Sequence, residues 1–327
     1  MMAKARSMTL LVFVFIFNCL VGSAGAQRIN IAYSAITGSQ LPLWVSKDEG
    51  IFKRYGLDVE LIYIAGGSIV VNALLAGDVQ LARLGPNAVI QASSRGADLK
   101  MIANTMNTLV TSLMVRPEIR TAKDLVGRRV GVTRLGGNVD YALDLLLKKW
   151  GLQRGRDVII LQTGGNPQLL GALATGNVAA GVLSSPTNLT AIKLGMKELV
   201  DFSELGIEYP ASVVAVRWRY LSENRQLLLR FMRAYSEGIH RVLNDAQASI
   251  KSIGKHSKEK DQQILEEVYR VYGVKHLERI PYVRIQGVRE VLRSEGKKAT
   301  EVDAMGYVDN SLVEELEQEG FFRKLYK

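Results

Sequence analysis

Six short polar loops hold the chemistry this chain could perform. Three of them, at 34–40, 65–68 and 84–87, carry Ser34, Thr37 and Gly38, then Gly66, Gly67 and Ser68, then Gly85, Pro86 and Asn87. The other three, at 134–138, 163–166 and 184–188, carry Arg134, Gly137 and Asn138, then Gly165 and Asn166, then Ser184, Ser185 and Pro186. Each loop follows a short apolar run and opens a helical one, so hydroxyls, amides and backbone N–H groups at helix N-termini would gather around whatever lies between them. Such a set suits an anion. One N-terminus contributes about 0.3–1 kcal/mol, at best about 2, whereas micromolar affinity needs about 8 kcal/mol. A charged partner and desolvation must supply the rest. Arg134 directly follows a strand and is either that clamp or a brace for the edge of its lobe. Arg83 is the other charged candidate for the solute, but it lies inside a strand, where a structural ion pair is the favoured reading. Asp140 is the one acid near these loops and suits the first turn of its own helix, so a strongly cationic ligand is not expected. Thr111 and Tyr209, the latter just before Pro210, are further candidates for the wall. Trp44 shares its helical stripe with Leu41, Val45 and Phe52, which places it in a core.

Other chemistries find little footing. No Ser-His-acid grouping, paired carboxylates, Walker loop or GxGxxG follows a strand. His240, His256 and His276 fall late in the chain without metal-ligand spacing, and Cys19 is the only cysteine. No catalytic residue, metal or cofactor is therefore expected. The formal net charge is +10, yet no helix-turn-helix, zinc spacing or aromatic-basic ribonucleoprotein motif accompanies it, so a nucleic-acid partner is not expected either.

The elements that must position the loops come twice. The stretch from Gly66 to Pro86 and the stretch from Gly164 to Pro186 share an opening Gly-Gly, an Ala-Leu pair, Gly-(Asp/Asn)-Val and a closing Pro. Around them the order strand, helix, strand, helix, strand, helix runs from 28 and again from 129. The strands are expected at 29–33, 59–64 and 79–84, then at 130–133, 158–161 and 178–183. The 59–64 run is apolar enough to be covered on both faces. Runs at 111–115 and 212–216 read as an outgoing and a returning crossover, and helices follow to the end. The N-terminus has Lys4 and Arg6, an uncharged stretch over 10–21, then Ala24-Gly25-Ala26, which reads as an export signal cut before Gln27. The expected division is 1–26 signal peptide, 27–113 first part of lobe 1, 114–212 lobe 2, and 213–327 return to lobe 1 and C-terminal helices. The fold class is α/β, two lobes joined by a two-strand hinge with a helical C-terminal region.

Leu41-Pro42-Leu43-Trp44-Val45 with Glu49-Gly50-Ile51-Phe52, Tyr55-Gly56-Leu57-Asp58-Val59-Glu60, Gly66-Gly67-Ser68, Ala76-Gly77-Asp78-Val79 and the run from Asp124 to Val132 resemble the periplasmic solute-binding proteins of nitrate, sulfonate and taurine ABC importers, with their thiamine-pyrimidine-binding relatives. The resemblance spans essentially the whole chain after the export signal. It implies a type II periplasmic-binding-protein fold that closes on a small polar or anionic solute. It also implies delivery to an ABC permease in the inner membrane driven by a cytoplasmic ATPase, a periplasmic location in a Gram-negative cell, and a monomer. Related eukaryotic pyrimidine synthases carry a cysteine-rich iron motif, which is absent here. An enzyme or an envelope sensor subunit using the same cleft for a small metabolite stands as the alternative.

Overall fold

The computed structural model describes residues 27–294 and 303–327; the expected export signal, with Cys19, lies outside the described residues. The first run of elements is β1 (Gln27–Tyr33), α1 (Leu41–Asp48), α2 (Ile51–Arg54), β2 (Leu57–Tyr63), α3 (Gly67–Ala76), β3 (Leu81–Leu84), α4 (Pro86–Ser94) and β4 (Leu99–Asn104). The second is β5 (Ser112–Val115), β6 (Arg129–Val132), α5 (Asn138–Trp150), β7 (Ile159–Gln162), α6 (Asn166–Ala174), β8 (Ala180–Leu183), α7 (Thr187–Lys193) and β9 (Lys197–Asp201). After β10 (Val213–Arg217) come α8 (Trp218–Glu223), α9 (Arg225–Asn244), α10 (Ala246–Ser257) and α11 (Gln262–Tyr269), which runs on as a π-helical turn over Arg270–Lys275. Helices α12 (Ile285–Ser294), α13 (Ser311–Gln318) and α14 (Phe321–Leu325) complete the described chain.

Two five-stranded sheets share one plan. The first runs β2-β1-β3-β10-β4 and the second β7-β6-β8-β5-β9. In the first, β1 pairs in parallel with β2 and β3, setting Ile31 opposite Leu61 and Leu81. In the second, β6 pairs in parallel with β7 and β8, setting Gly131 opposite Leu161 and Gly181. Each sheet holds one antiparallel strand, β10 between β3 and β4, and β5 between β8 and β9. The chain enters each of these on arriving from the other sheet.

That exchange corrects the placing of the crossovers. The runs at 111–115 and 212–216 are largely these two inserted strands, and the crossing chain lies just ahead of them, at 105–111 and 202–212. Their apolar character has a simple cause: β5 is buried at every position and β10 at all but Arg217, as a strand covered on both faces must be. By contrast β2 is not covered on both faces. It is an edge strand, and Asp58, Glu60 and Tyr63 are exposed along it.

The C-terminal helices complete the core of the first sheet. Leu228, Phe231, Met232, Tyr235, Ile239 and Val242 of α9 recur at helical spacing and are all buried. Phe231 stacks on Phe52 at 5.8 Å and on Tyr235 at 5.6 Å. Burying one such side chain contributes about 1.5–3 kcal/mol. Trp44 is fully buried in the same cluster, as its stripe predicts. Five elements with no stretch of their own among those expected, β4, β9, α8, α10 and α14, also appear. Among the described residues no helix is long and apolar enough to cross a membrane.

Candidate functional site

Four helices that begin at the facing ends of the two sheets are N-capped by glycine: α3 by Gly66, α4 by Gly85, α5 by Gly137 and α6 by Gly165. A glycine cap has no side chain to accept from the first-turn N–H groups; only in α6 does a side chain fold back, Gln168 Oε1 accepting from the Gly165 N–H at 3.2 Å, and Pro86 and Pro167 remove one N–H each from the first turns of α4 and α6. Their leading N–H groups are thus left for another acceptor. All four caps line one cleft between the sheets, together with both crossings. The cavity measures about 100 Å³, on a scale where one water takes about 10–15 Å³. That is room for several waters or one small organic solute.

Of the residues singled out in sequence, Ser34, Thr37, Gly66, Gly67, Gly85 and Thr111 line the cleft from the first lobe and its crossing, and Arg134, Gly137, Asn138, Gly165, Asn166 and Ser184 from the second. Seven others do not line it. Helix α3 starts at Gly67, so Ser68 is not its cap and faces solvent. Pro86 and Pro186 are held at the starts of α4 and α7. The N–H of Gly38 donates to the Ser185 oxygen at 3.2 Å, a direct bond between the lobes, and a Cβ on Gly38 would overlap the Tyr272 ring. Tyr209 is fully buried, with its hydroxyl between the side-chain amides of Asn87 and Asn138, the latter at 2.7 Å. Asn138 donates through Nδ2 to the Ala211 oxygen at 2.9 Å, which turns its Oδ1 toward the tyrosine. Tyr209 and Asn87 therefore brace the cleft from behind instead of forming its wall.

Arg134 projects across the gap and packs on Gly66 so closely that a Cβ there would overlap its side chain. Its Nε is buried without an acceptor, and among the described hydrogen bonds and ion pairs none involves it. Tyr63 stands beside it. Burial raises the Tyr63 hydroxyl above its ordinary pKa, and the nearby Arg134 charge pulls the other way. Among the described residues, Arg134 is the only charged side chain in the lining, with no Asp, Glu or Lys beside it.

Arg83 departs from its expected ion pair. It is fully buried, no described ion pair includes it, and its bonds go to neutral oxygens of Ser212 at 2.9 Å, Ser39 at 2.6 Å and Thr105 at 2.7 Å. Burial lowers its pKa from the ordinary arginine value. Asp140 stands outside the cleft lining. It accepts from the Gly136 N–H at 2.8 Å and from Arg154 at 2.8 Å, so its charge is already matched.

Sequence reasoning missed Ser39, Gln40, Tyr63, Met106, Ser212 and Tyr272 of the lining. Tyr63 ends the first-repeat strand that leads into the Gly66 loop, a signal that was there to use. Tyr272 comes from the π-helical turn far along the chain and bonds the Val110 oxygen at 2.8 Å; nothing local announces it. Among the described residues no group of three His, Cys, Asp or Glu is placed to hold a metal. What the arrangement offers is donors and one cation around a small space.

The sequence matches the family described as NMT1/THI5 like over residues 38–249. It is 26% identical over 184 residues to the taurine-binding periplasmic protein of Escherichia coli, a match covering 55% of this chain and 56% of that protein. It is 24% identical over 241 residues to the binding protein YtlA of Bacillus subtilis, covering 72% of each. Its fold is similar to that of a Bordetella bronchiseptica protein (TM-score 0.80, 19% identity, 90% of this chain and 98% of that one). It is similar also to the periplasmic nitrate-binding protein NrtA of Synechocystis (TM-score 0.77, 13% identity, 90% and 89%) and to the periplasmic aliphatic sulphonate-binding protein SsuA of Escherichia coli (TM-score 0.67, 19% identity, 88% and 99%).

Proposed function

The chain belongs to the NMT1/THI5-like family, and from that membership we propose that it is the periplasmic solute-binding component of an ABC importer. It acts as a monomer without catalysis, taking a small anionic solute between its lobes and handing it to a permease driven by a cytoplasmic ATPase. The observation that carries the anionic reading is the charge of the cleft: among the described residues Arg134 is its only charged side chain, and no acid lines it. Four glycine-capped helix N-termini, three of them with no side-chain cap bond, point the same way. Sulfonate, nitrate and carboxylate groups all fit this field.

The solute's remaining part is uncharged. An ammonium group such as taurine's would meet no carboxylate in this lining and would lose its hydration without replacement. Ile36, Met106, Leu109 and Val110 offer it an apolar wall instead. The ligand binds the closed arrangement better than the open one and shifts the population toward it.

A thermal-shift screen of sulfonates, carboxylates, nitrate and pyrimidines tests this. An anion with an uncharged tail at 100 times its dissociation constant should add about 2.7 kcal/mol to stability, and taurine should add less than the sulfonate lacking its amine. Stabilisation by cations alone would sink the anionic reading, and turnover of the bound solute by the isolated protein would favour an enzyme.

A further inference from the structure

Arg83 is the last residue but one of β3, at a point where three otherwise separate pieces of chain meet. Its guanidinium donates to the Ser39 oxygen in the loop after β1, to Thr105 Oγ1 at the start of the first crossing, and to the Ser212 oxygen at the end of the second. The two crossings run side by side at this place: the Ala211 N–H donates to the Met106 oxygen at 2.8 Å and the Tyr209 N–H to the Asn107 oxygen at 3.0 Å. Ser39 and Ser212 also line the cleft. A charged donor makes bonds roughly twice as strong as a neutral one, and the rigid planar fork of arginine fixes directions that a lysine ammonium would leave free. The Tyr235 ring lies 5.4 Å from the guanidinium carbon and packs it in place.

The other end of the hinge is fastened differently. There Thr111 donates through its hydroxyl to the Leu183 oxygen at 2.7 Å, the Phe202 N–H donates to the Thr111 oxygen at 3.0 Å, and Asn188 donates to the Ser112 hydroxyl at 3.2 Å. These three bonds are neutral, and the charged contacts there are an exposed ion pair of Lys275 with Glu204 at 2.7 Å and a local bond from the Ser203 N–H to Asp201 at 2.8 Å; an exposed pair contributes little.

We propose that Arg83 is the positioning residue of the hinge: it clamps both crossings and the cleft loop to the first sheet, so that the second lobe swings from fixed points and the cleft closes in a single register. This rests on the two-lobed binding role above. It assigns Arg83 no contact with the solute. Bending is confined to the end of the crossings that has no buried charged clamp, beside β5 and the start of the 202–212 segment.

The test measures the distance between spin labels on the two lobes, at Lys53→Cys and Lys149→Cys in a Cys19→Ser full-length chain with no solute added. Arg83→Met should at least double the width of the distance distribution. Thr105→Val, which removes one bond from the first crossing and keeps the charge, should broaden it by a smaller amount, and Thr105→Ser should restore the parent width. A folded Arg83→Met chain with the parent distribution overturns the clamp. So does one that loses affinity for an anion while its distances stay unchanged, since that would make Arg83 a charge and not an anchor. If Arg83→Met does not fold, an unchanged distribution in folded Thr105→Val overturns it equally. Because no solute is present, failure of every anion in the screen would defeat the transport role while leaving the distance result to stand on its own.

Discussion

Replacing Arg134 by alanine removes the only charged side chain that the described residues contribute to the cleft lining. Hydrogen bonds to charged groups contribute about 1.5–3 kcal/mol, so affinity for an anionic solute should fall about 10- to 150-fold by calorimetry, with little change in the stability of the free protein. Arg134→Lys should fall between the two, because it keeps charge and loses the fork. Asp48 gives a second prediction at this scale. Burial alone would raise its pKa, but hydrogen bonds from His256, Lys255 and Ser252 outweigh that and hold it at about 2. A depressed folded value means that its contribution is complete above the unfolded value of 3.8 and is lost as pH falls from there toward about 2. Asp48→Asn should therefore cost about 1 kcal/mol at pH 6 and far less near pH 2.5, as read from urea midpoints. Arg134 was legible because an arginine directly after a strand in an α/β unit has one edge to point toward. Arg83 was not, because its partners are loop oxygens at Ser39 and Ser212 and a hydroxyl at Thr105, and only the tertiary fold brings those together.

The glycine caps make separable predictions at the scale of the element. Gly85 has φ −80, which any residue adopts, so alanine there keeps the start of α4 intact. Its Cβ would nevertheless overlap Asn138 from the opposite lobe. Gly85→Ala should thus leave the melting temperature within a few degrees of the parent and weaken solute binding at least about 10-fold, by holding the lobes apart. Gly66 has φ +98 and also faces the Arg134 side chain. Gly66→Ala should lose binding and, in addition, about 1–3 kcal/mol of stability from backbone strain. Equal loss of stability in the two variants would contradict this division. The repeated Gly-Gly turns made α3 and α6 readable, since a cap and a following apolar run are local signals. Helix α10 escaped because its residues, from Ala246 to Ser257, include only Ile250 and Ile253 as large apolar side chains, too sparse a stripe to show a period. The covering of β2 was misjudged because an apolar run cannot say whether its strand lies at a sheet's edge.

At the scale of the whole molecule, the duplication made two α/β lobes legible, while the exchange of β5 and β10 between sheets did not follow from it. An inserted antiparallel strand and a crossover look alike in sequence, both being short apolar runs; only pairing tells them apart. The joined lobes also set up a long-range field. The full chain carries +10, and its cleft presents Arg134 with no acid facing it and Arg83 unpaired by any carboxylate behind it. A cleft of one sign draws in a solute of the other and raises its association rate. The screening length shrinks from about 30 Å at 0.01 M salt to about 8 Å at 0.15 M, so the association rate of an anionic solute in stopped flow should fall several-fold over that range. Dissociation should change much less, because once the lobes close the solute is shielded from bulk ions. An association rate independent of salt would mean that the basic surface does not reach the cleft mouth, and would leave capture to the contacts inside it.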